Sequence, residues 1–318
     1  MFDLKEFNIL NKHLGAILGS PALLHKIKES PWNKVYAVDH ASKKYILKVG
    51  CRQLDGFDIY NEYRALLFLK QNSIRSIPSV KYYGKFHGHD LLLTHFIVSK
   101  GAINVCAAGK AFGKIHAIQG VSNSDCYSFA ISLIDWLNCQ LEKVSFIPLK
   151  QRYKSDLILK NEIACVINVL RRSLQNNGEL FKNIPCSLIN MDNSGSILMR
   201  NGRVYIVDWH LSRFGDPAWD VIRTFEYYQL DSRERTLFEK GYSAFQTDIH
   251  GMQKRMHFYS LINMMIPVFF YYADEPDLVR YKNNPLIKSN VRVQDFLSNV
   301  FKSKIKKILL HINEALPG

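Results

Sequence analysis

Val204-Tyr205-Ile206-Val207-Asp208-Trp209-His210-Leu211-Ser212-Arg213-Phe214-Gly215-Asp216-Pro217-Ala218-Trp219-Asp220 is the stretch on which the fold turns. Val204 to Val207 is apolar and β-prone, and as a strand it delivers Asp208 to a loop, where a carboxylate can reach a metal. Upstream, Ile197-Leu198-Met199 and the turn Arg200-Asn201-Gly202-Arg203 make this strand the second arm of a hairpin. Asn-Gly supplies the two positive-φ positions that tight hairpin turns need. Two more acids, Asp216 and Asp220, follow at fixed offsets. Asp220 falls just inside a helix start, where a carboxylate suits the local dipole. It is expected to brace the loop and not to touch a ligand.

Working back toward the N-terminus, Val35-Tyr36-Ala37-Val38 and Tyr45-Ile46-Leu47-Lys48-Val49 read as two strands joined by a polar turn. Lys48 is a lone charge inside an apolar strand. A helix is predicted over 59–71, where Tyr63, Ala65, Leu66 and Leu69 recur at helical spacing and Glu62 lies in the first turns. Val80 to Gly84 and Leu91 to Ile97 read as further strands around a Gly88-His89 turn. Residues 35–97 thus spell strand, strand, helix, strand, strand. After Gly101 the pattern turns helical, with helices predicted at about 104–118, 127–142 and 155–176, and again from about Trp219 onward. The fold class is α+β, with a small lobe over 1–97 and a larger, mainly helical lobe over 98–318. No internal repeat or low-complexity segment interrupts it.

Of the 318 residues, 47% are hydrophobic and 22% charged, which excludes a disordered or fibrous chain. The six cysteines are scattered without a Cys-x-x-Cys pair, so neither a disulfide framework nor a zinc site is expected, and reduced thiols in the cytoplasm fit best. Met1-Phe2-Asp3-Leu4-Lys5-Glu6 lacks the basic start of a signal peptide. Phe258 to Tyr272 is apolar but short and carries Asn263 and Pro267, which suits a buried helix better than a membrane span. A net charge of +14 favours anionic partners. No nucleic-acid-binding motif accompanies that charge, so nucleic acid is not the expected partner.

The segment from Ile206 to Asp220 closely resembles the metal-binding segment of the aminoglycoside phosphotransferase and choline kinase-like family, in which Ile-Asp-Trp is followed by Gly-Asp-Pro-x-x-Asp. The resemblance covers about residues 30 to 280 and implies a two-lobed, protein-kinase-like fold. It also implies an ATP- and Mg²⁺-dependent phosphotransferase acting on a hydroxyl of a small molecule, with GTP as the other nucleotide the family admits. Lys48 then resembles the strand lysine on the nucleotide phosphates and Glu62 its helix partner. Phosphoryl transfer needs just such a cation, together with carboxylates on the metal and a group orienting the incoming hydroxyl. The resemblance puts backbone groups of His95, Phe96 and Ile97 at the adenine edge and the nucleotide-covering loop at about Glu29 to Lys34. It makes Asp208 a metal ligand. Phe112-Gly113-Lys114-Ile115-His116 resembles the family's helix ending in Leu-His, with His116 a packed histidine.

One segment departs from the family's His-x-Asp, four residues, then Asn. Here it reads Ile189-Asn190-Met191-Asp192-Asn193-Ser194-Gly195-Ser196. Counted back from the hairpin without a gap, Met191 stands for the catalytic Asp and Ser196 for the metal-binding Asn, which implies a pseudokinase that binds nucleotide or a partner as a regulator. With a one-residue deletion Asn190 stands for the His and Asp192 for the catalytic acid, with Ser196 or Asn193 as the second metal ligand.

The acceptor pocket is expected from parts of 127–176 and 226–280, where aromatics are dense, with an acidic patch at Asp274, Glu275 and Asp277. The surplus of positive charge disfavours a polycationic acceptor at long range. Val300 to Leu310 is a basic amphipathic helix candidate. Two uses fit it, peripheral contact with a membrane surface and packing of its apolar stripe on the domain.

Overall fold

The computed structural model describes residues 4–29, 33–50, 59–119, 125–143, 153–246 and 248–272. In chain order the elements are α1 (Leu4–Leu18), β1 (Leu23–Glu29), β2 (Asn33–His40), β3 (Lys43–Gly50), α2 (Ile59–Gln71), β4 (Val80–Phe86), β5 (His89–His95) and α3 (Val105–His116). Then follow α4 (Cys126–Lys143), α5 (Tyr153–Asn176), β6 (Ser187–Ile189), β7 (Ile197–Arg200), β8 (Arg203–Ile206), β9 (Arg213–Gly215), α6 (Pro217–Tyr227), α7 (Ser232–Tyr242) and α8 (Ile249–Tyr272). They fall into two compact units, residues 1–120 with 187–249, and residues 121–186 with 250–318.

The first unit opens with a five-stranded antiparallel sheet in the order β1-β2-β3-β5-β4. Strand alternation decides what each face carries. On β3, Tyr45, Leu47 and Val49 are buried against Leu10 and Leu14 of α1 and against Leu91 and Leu93 of β5. Lys48 therefore points to the opposite face, where it pairs in register with Val35 and Leu92. A slip of one residue would drive the ammonium into the α1 core and Leu47 out of it, so burial of one face fixes where the lysine points. α1 and β1 were not expected from the sequence, yet Leu10 and Leu14, one helical turn apart, are its fully buried anchors.

The remainder of this unit packs helices and short strands around the 187–216 region. β7 and β8 form the expected hairpin, with Asn201 at φ 49° and Gly202 at φ 73°. That pair of positive φ values gives the tight turn the strand twist requires. β6 pairs antiparallel with β9. Asp216 caps α6 by accepting from the Ala218 amide at 2.9 Å, with Pro217 in the first turn. α3 and α7 meet at close quarters. A Cβ added at Gly113 would come within 2.7 Å of the Tyr242 carbonyl oxygen, and one at Gly109 would overlap the Phe238 carbonyl oxygen. Only hydrogen side chains allow that approach.

The second unit is helical in its described part. α4 buries Phe129, Ala130, Leu133, Ile134 and Leu137, and α5 buries Ile163, Val166, Ile167, Leu170 and Leu174. This is the three-and-four spacing that predicted both helices. Phe129 meets Tyr259 of α8 edge-on, with centroids 5.9 Å apart. No helix among the described residues is long and apolar enough to cross a membrane. The tip of the expected nucleotide-covering loop (30–32), the expected acidic patch at 274–277 and the basic helix candidate at 300–310 lie outside the described residues.

Candidate functional site

Lys48 from β3, Glu62 from α2 and Asp208 from the loop after β8 converge on one another. The Lys48 ammonium donates to Glu62 Oε1 at 3.0 Å and Oε2 at 2.7 Å, and to Asp208 Oδ1 at 2.6 Å. Glu62 is buried on the first turns of α2, and Lys48 nearly so. Burial works against the ammonium's charge, but the Glu62 and Asp208 carboxylates outweigh it and hold its pKa above the ordinary lysine range. The Asp208 side chain keeps 45% of its surface open. Even so the surrounding protein pushes its carboxyl upward, and Lys48 and His210 pull harder the other way, keeping it ionised well below the usual carboxylate range.

The loop that presents Asp208 is shaped by its neighbours. Asp208 adopts φ 65°, a left-handed conformation uncommon outside glycine that surrounding contacts must enforce. Trp209 is fully buried and donates from Nε1 to the Ile206 carbonyl at 2.9 Å. Asn61, beside Glu62 on α2, donates to the carbonyls of His210 at 3.0 Å and Ser212 at 2.8 Å. His210 Nδ1 donates to Asp208 Oδ1 at 2.8 Å.

The 189–196 segment lies beside this loop. Asp220, fully buried, accepts from the amides of Asn190 at 2.7 Å and Met191 at 3.0 Å. The Met191 carbonyl accepts from Trp219 Nε1 at 2.9 Å, and Met191 itself sits at φ 72°. Asn190 Nδ2 donates to the carbonyls of Val207 and Asp208, each at 3.2 Å. It thereby ties the segment to the Asp208 loop. The Asp192 carboxylate is partly exposed and takes Arg223 Nη2 at 2.7 Å and the Ser194 amide at 3.2 Å, both on Oδ1. Asn193 is fully buried and donates to the Asp220 carbonyl and to Thr224. Ser196 is buried, and its carbonyl accepts from the Val207 amide at 2.9 Å, one residue from Asp208. Asp220 thus clasps main chain, and His116 is buried between Tyr242 (2.9 Å) and Asp220 (3.4 Å).

Asp208 offers a carboxylate to a metal. Ser196 Oγ and Asn190 Oδ1, on residues hydrogen-bonded to the Asp208 loop, are buried oxygens without a hydrogen-bond partner, as is Asn193 Oδ1 beside Asp220. Such acceptors cost about 1–3 kcal/mol each when left unpaired. Hard oxygen donors of this kind, with one carboxylate, are the chemistry that fits Mg²⁺, which is bound by one or two carboxylates with phosphates and water completing its shell. No cluster of three His, Cys, Asp or Glu side chains gathers among the described residues.

His95 ends β5, its ring 2.8 Å from Ser79 Oγ. The Phe96 amide is taken by the Lys44 carbonyl at 3.0 Å and its carbonyl accepts from Arg200. The Ile97 amide has no partner among the described residues, and Ile97 is buried. Asn61, His210 and Arg223 were missed in the sequence. For His210 the signal was its place two residues beyond Asp208. For the other two, contacts with residues 149 and 31 positions away in the chain left no local trace.

This arrangement is that of the two-lobed protein-kinase-like fold. Solved structures with the same fold include spectinomycin phosphotransferase APH(9)-Ia, crystallised with ADP and spectinomycin, at TM-score 0.62 and 16% identity, covering 96% of this chain and 98% of that one. Choline kinase LicA from Streptococcus pneumoniae matches at TM-score 0.59 and 15% identity, covering 85% and 91%. The ethanolamine kinase of Plasmodium vivax matches at TM-score 0.56 and 16% identity, covering 85% and 83%. No protein-family model and no curated protein matches the sequence.

Proposed function

We propose that this chain is an ATP- and Mg²⁺-dependent phosphotransferase that moves the γ-phosphate to a hydroxyl of a small molecule, an amino alcohol, aminoglycoside or sugar-like acceptor. The observation that carries the reading is the convergence of Lys48 and Asp208, 160 residues apart in the chain, at 2.6 Å. Similarity to kinases of spectinomycin, choline and ethanolamine supports a small-molecule acceptor. In this reading residues 1–97 bind the nucleotide, and the Ile97 amide with neighbouring backbone of His95 and Phe96 meets the adenine.

Each residue then has a task. Glu62 holds the Lys48 ammonium, which exchanges Asp208 for phosphate oxygens. Asp208 and Ser196 would hold the metal, which when bound would supply neutralisation of charge on the phosphates. Asp192 keeps Oδ1 on Arg223 and the Ser194 amide, leaving Oδ2 to orient the acceptor hydroxyl and accept its proton. Asp220 fixes the main chain just before Asp192, and Asn190 ties that chain to the Asp208 carbonyl, which keeps the two carboxylates in register.

The test is transfer of labelled γ-phosphate from ATP across a panel of amino alcohols, aminoglycosides and sugars. Asp192→Asn should lower transfer by about 10²–10⁴ with nucleotide affinity unchanged. A second reading, a nucleotide-binding regulator without efficient transfer, is favoured by the ion pair that already engages Asp192 with Arg223. Normal nucleotide binding with no transfer to any acceptor would establish that reading instead.

A further inference from the structure

Two neighbouring residues of α2 hold two different parts of the proposed site. Glu62 holds the Lys48 ammonium at 2.7 and 3.0 Å. Asn61, the residue before it, donates from Nδ2 to the carbonyls of His210 at 3.0 Å and Ser212 at 2.8 Å, with Ser212 Oγ at 3.5 Å. Those carbonyls belong to the turn that presents Asp208. The same turn is tied across itself, since the Ser212 amide donates to the Trp209 carbonyl at 3.0 Å and His210 Nδ1 to Asp208 Oδ1 at 2.8 Å. Consecutive positions on a helix point about 100° apart. One turn of α2 therefore grips a strand lysine with one side chain and loop main chain with the next.

In the structure Lys48 also bonds Asp208 directly, at 2.6 Å. In the proposed function that bond is given up when the ammonium turns to phosphate oxygens. α2 then keeps hold of the chain after Asp208 through the Asn61 amide and, two turns further along the helix, through Phe68, which meets Phe214 edge-on with centroids 5.6 Å apart. The ring contact acts six residues beyond Asp208, whereas Asn61 acts on the turn itself, two residues beyond. We propose that Asn61 is a positioning residue that makes α2 the common mount of Lys48 and Asp208, and so couples binding of the nucleotide phosphates to binding of the divalent cation. The inference rests on the phosphotransferase reading for the two ligands it couples. Phosphate on Lys48 steadies α2 through Glu62, and α2 steadies the Asp208 turn through Asn61. A carboxylate already held in place binds its cation at a smaller ordering cost. Such coupling is reciprocal, so the cation raises nucleotide affinity by the same factor. An asparagine with a purely structural role would lower stability and leave that factor alone.

The experiment measures by calorimetry the affinity of the full-length protein for adenylyl imidodiphosphate, a non-hydrolysable ATP analogue, once in EDTA and once with Mg²⁺. The ratio of the two affinities is the coupling factor. Asn61→Ala, and Asn61→Leu, which keeps the volume and lacks the amide, should leave the metal-free affinity unchanged and lower the coupling factor by about tenfold. Phe68→Leu, which loosens only the contact with Phe214, should lower Tm with the factor unchanged. Should both Asn61 variants fail to fold, hydrogen exchange of the unaltered protein decides: adding Mg²⁺ to its complex with the analogue should slow amide exchange in α2 as well as at 208–212. An unchanged coupling factor in a folded Asn61 variant, or Mg²⁺ without effect on exchange in α2, overturns the positioning role and leaves the nucleotide site standing. A parent protein that binds the analogue equally with and without Mg²⁺ overturns the coupling and the metal site of the proposed function together, and one that does not bind it overturns the proposed function as a whole.

Discussion

Asp220→Asn removes one charge from the core and disturbs the 189–196 segment without touching Lys48 or Asp208. In the structure both carboxylate oxygens of Asp220 accept main-chain amides, from Asn190 at 2.7 Å and Met191 at 3.0 Å, and the side chain is fully buried. An asparagine keeps one acceptor and turns an NH₂ toward the other amide, so one donor faces another. Losing a hydrogen bond to a charged group costs about 1.5–3 kcal/mol, and leaving the buried amide unpaired costs about 1–3 kcal/mol more. Relief from burying a carboxylate offsets part of this. A net loss of about 3 kcal/mol follows, which in a domain of this size lowers Tm by about 6–12 °C. Thermal unfolding followed by circular dichroism measures it. A variant that melts within about 2 °C of the parent would mean that Asp220 does not hold the segment, and the positioning argued for Asp192 would lose its support.

Two further outcomes follow from packing and charge. Gly109→Ala puts a methyl against the Phe238 carbonyl in the α3–α7 contact. Urea unfolding should report a loss of about 3 kcal/mol, toward the upper end of overpacking costs, whereas a neutral variant would show that these helices do not approach closely in solution. The folded Asp208 pKa is depressed, so its contribution is complete above the ordinary carboxylate pKa of about 4 and is lost as pH falls through the lower folded value. The stability gap between the parent and Asp208→Asn should therefore hold steady from about pH 5 to 8 and close on further acidification. A gap that widens in acid would contradict the ion pair.

Much of the frame was legible because local periodicity and turn chemistry agreed with the final packing. The helix at 59–71 and the 197–206 hairpin followed from apolar spacing and Asn201-Gly202, and the structure has both. Lys48 stood out because a charge inside Tyr45-Ile46-Leu47-Lys48-Val49 needs a partner on the opposite face, and Glu62 and Asp208 supply it. α1 was overlooked although Leu10 and Leu14 carried its signal, since nothing nearby marked their partner surface on the sheet. The 189–196 segment resisted counting for a different reason. Its conformation depends on which amides meet Asp220, 30 residues away from Asn190, and on two left-handed residues, Asp208 and Met191, the latter of a type that local propensity disfavours there. Arg223 was hidden likewise, because its bond to Asp192 exists only once α6 has docked.

Calorimetric titration of Mg²⁺–ATP into the parent protein, Lys48→Met, Asp208→Asn and the double variant tests the central claim most directly. If both side chains serve one triphosphate, each single change weakens binding by about tenfold or more, and the double variant loses less than the sum, since neighbours on one ligand couple. Parent-like affinity in both single variants, or strictly additive losses, would contradict it.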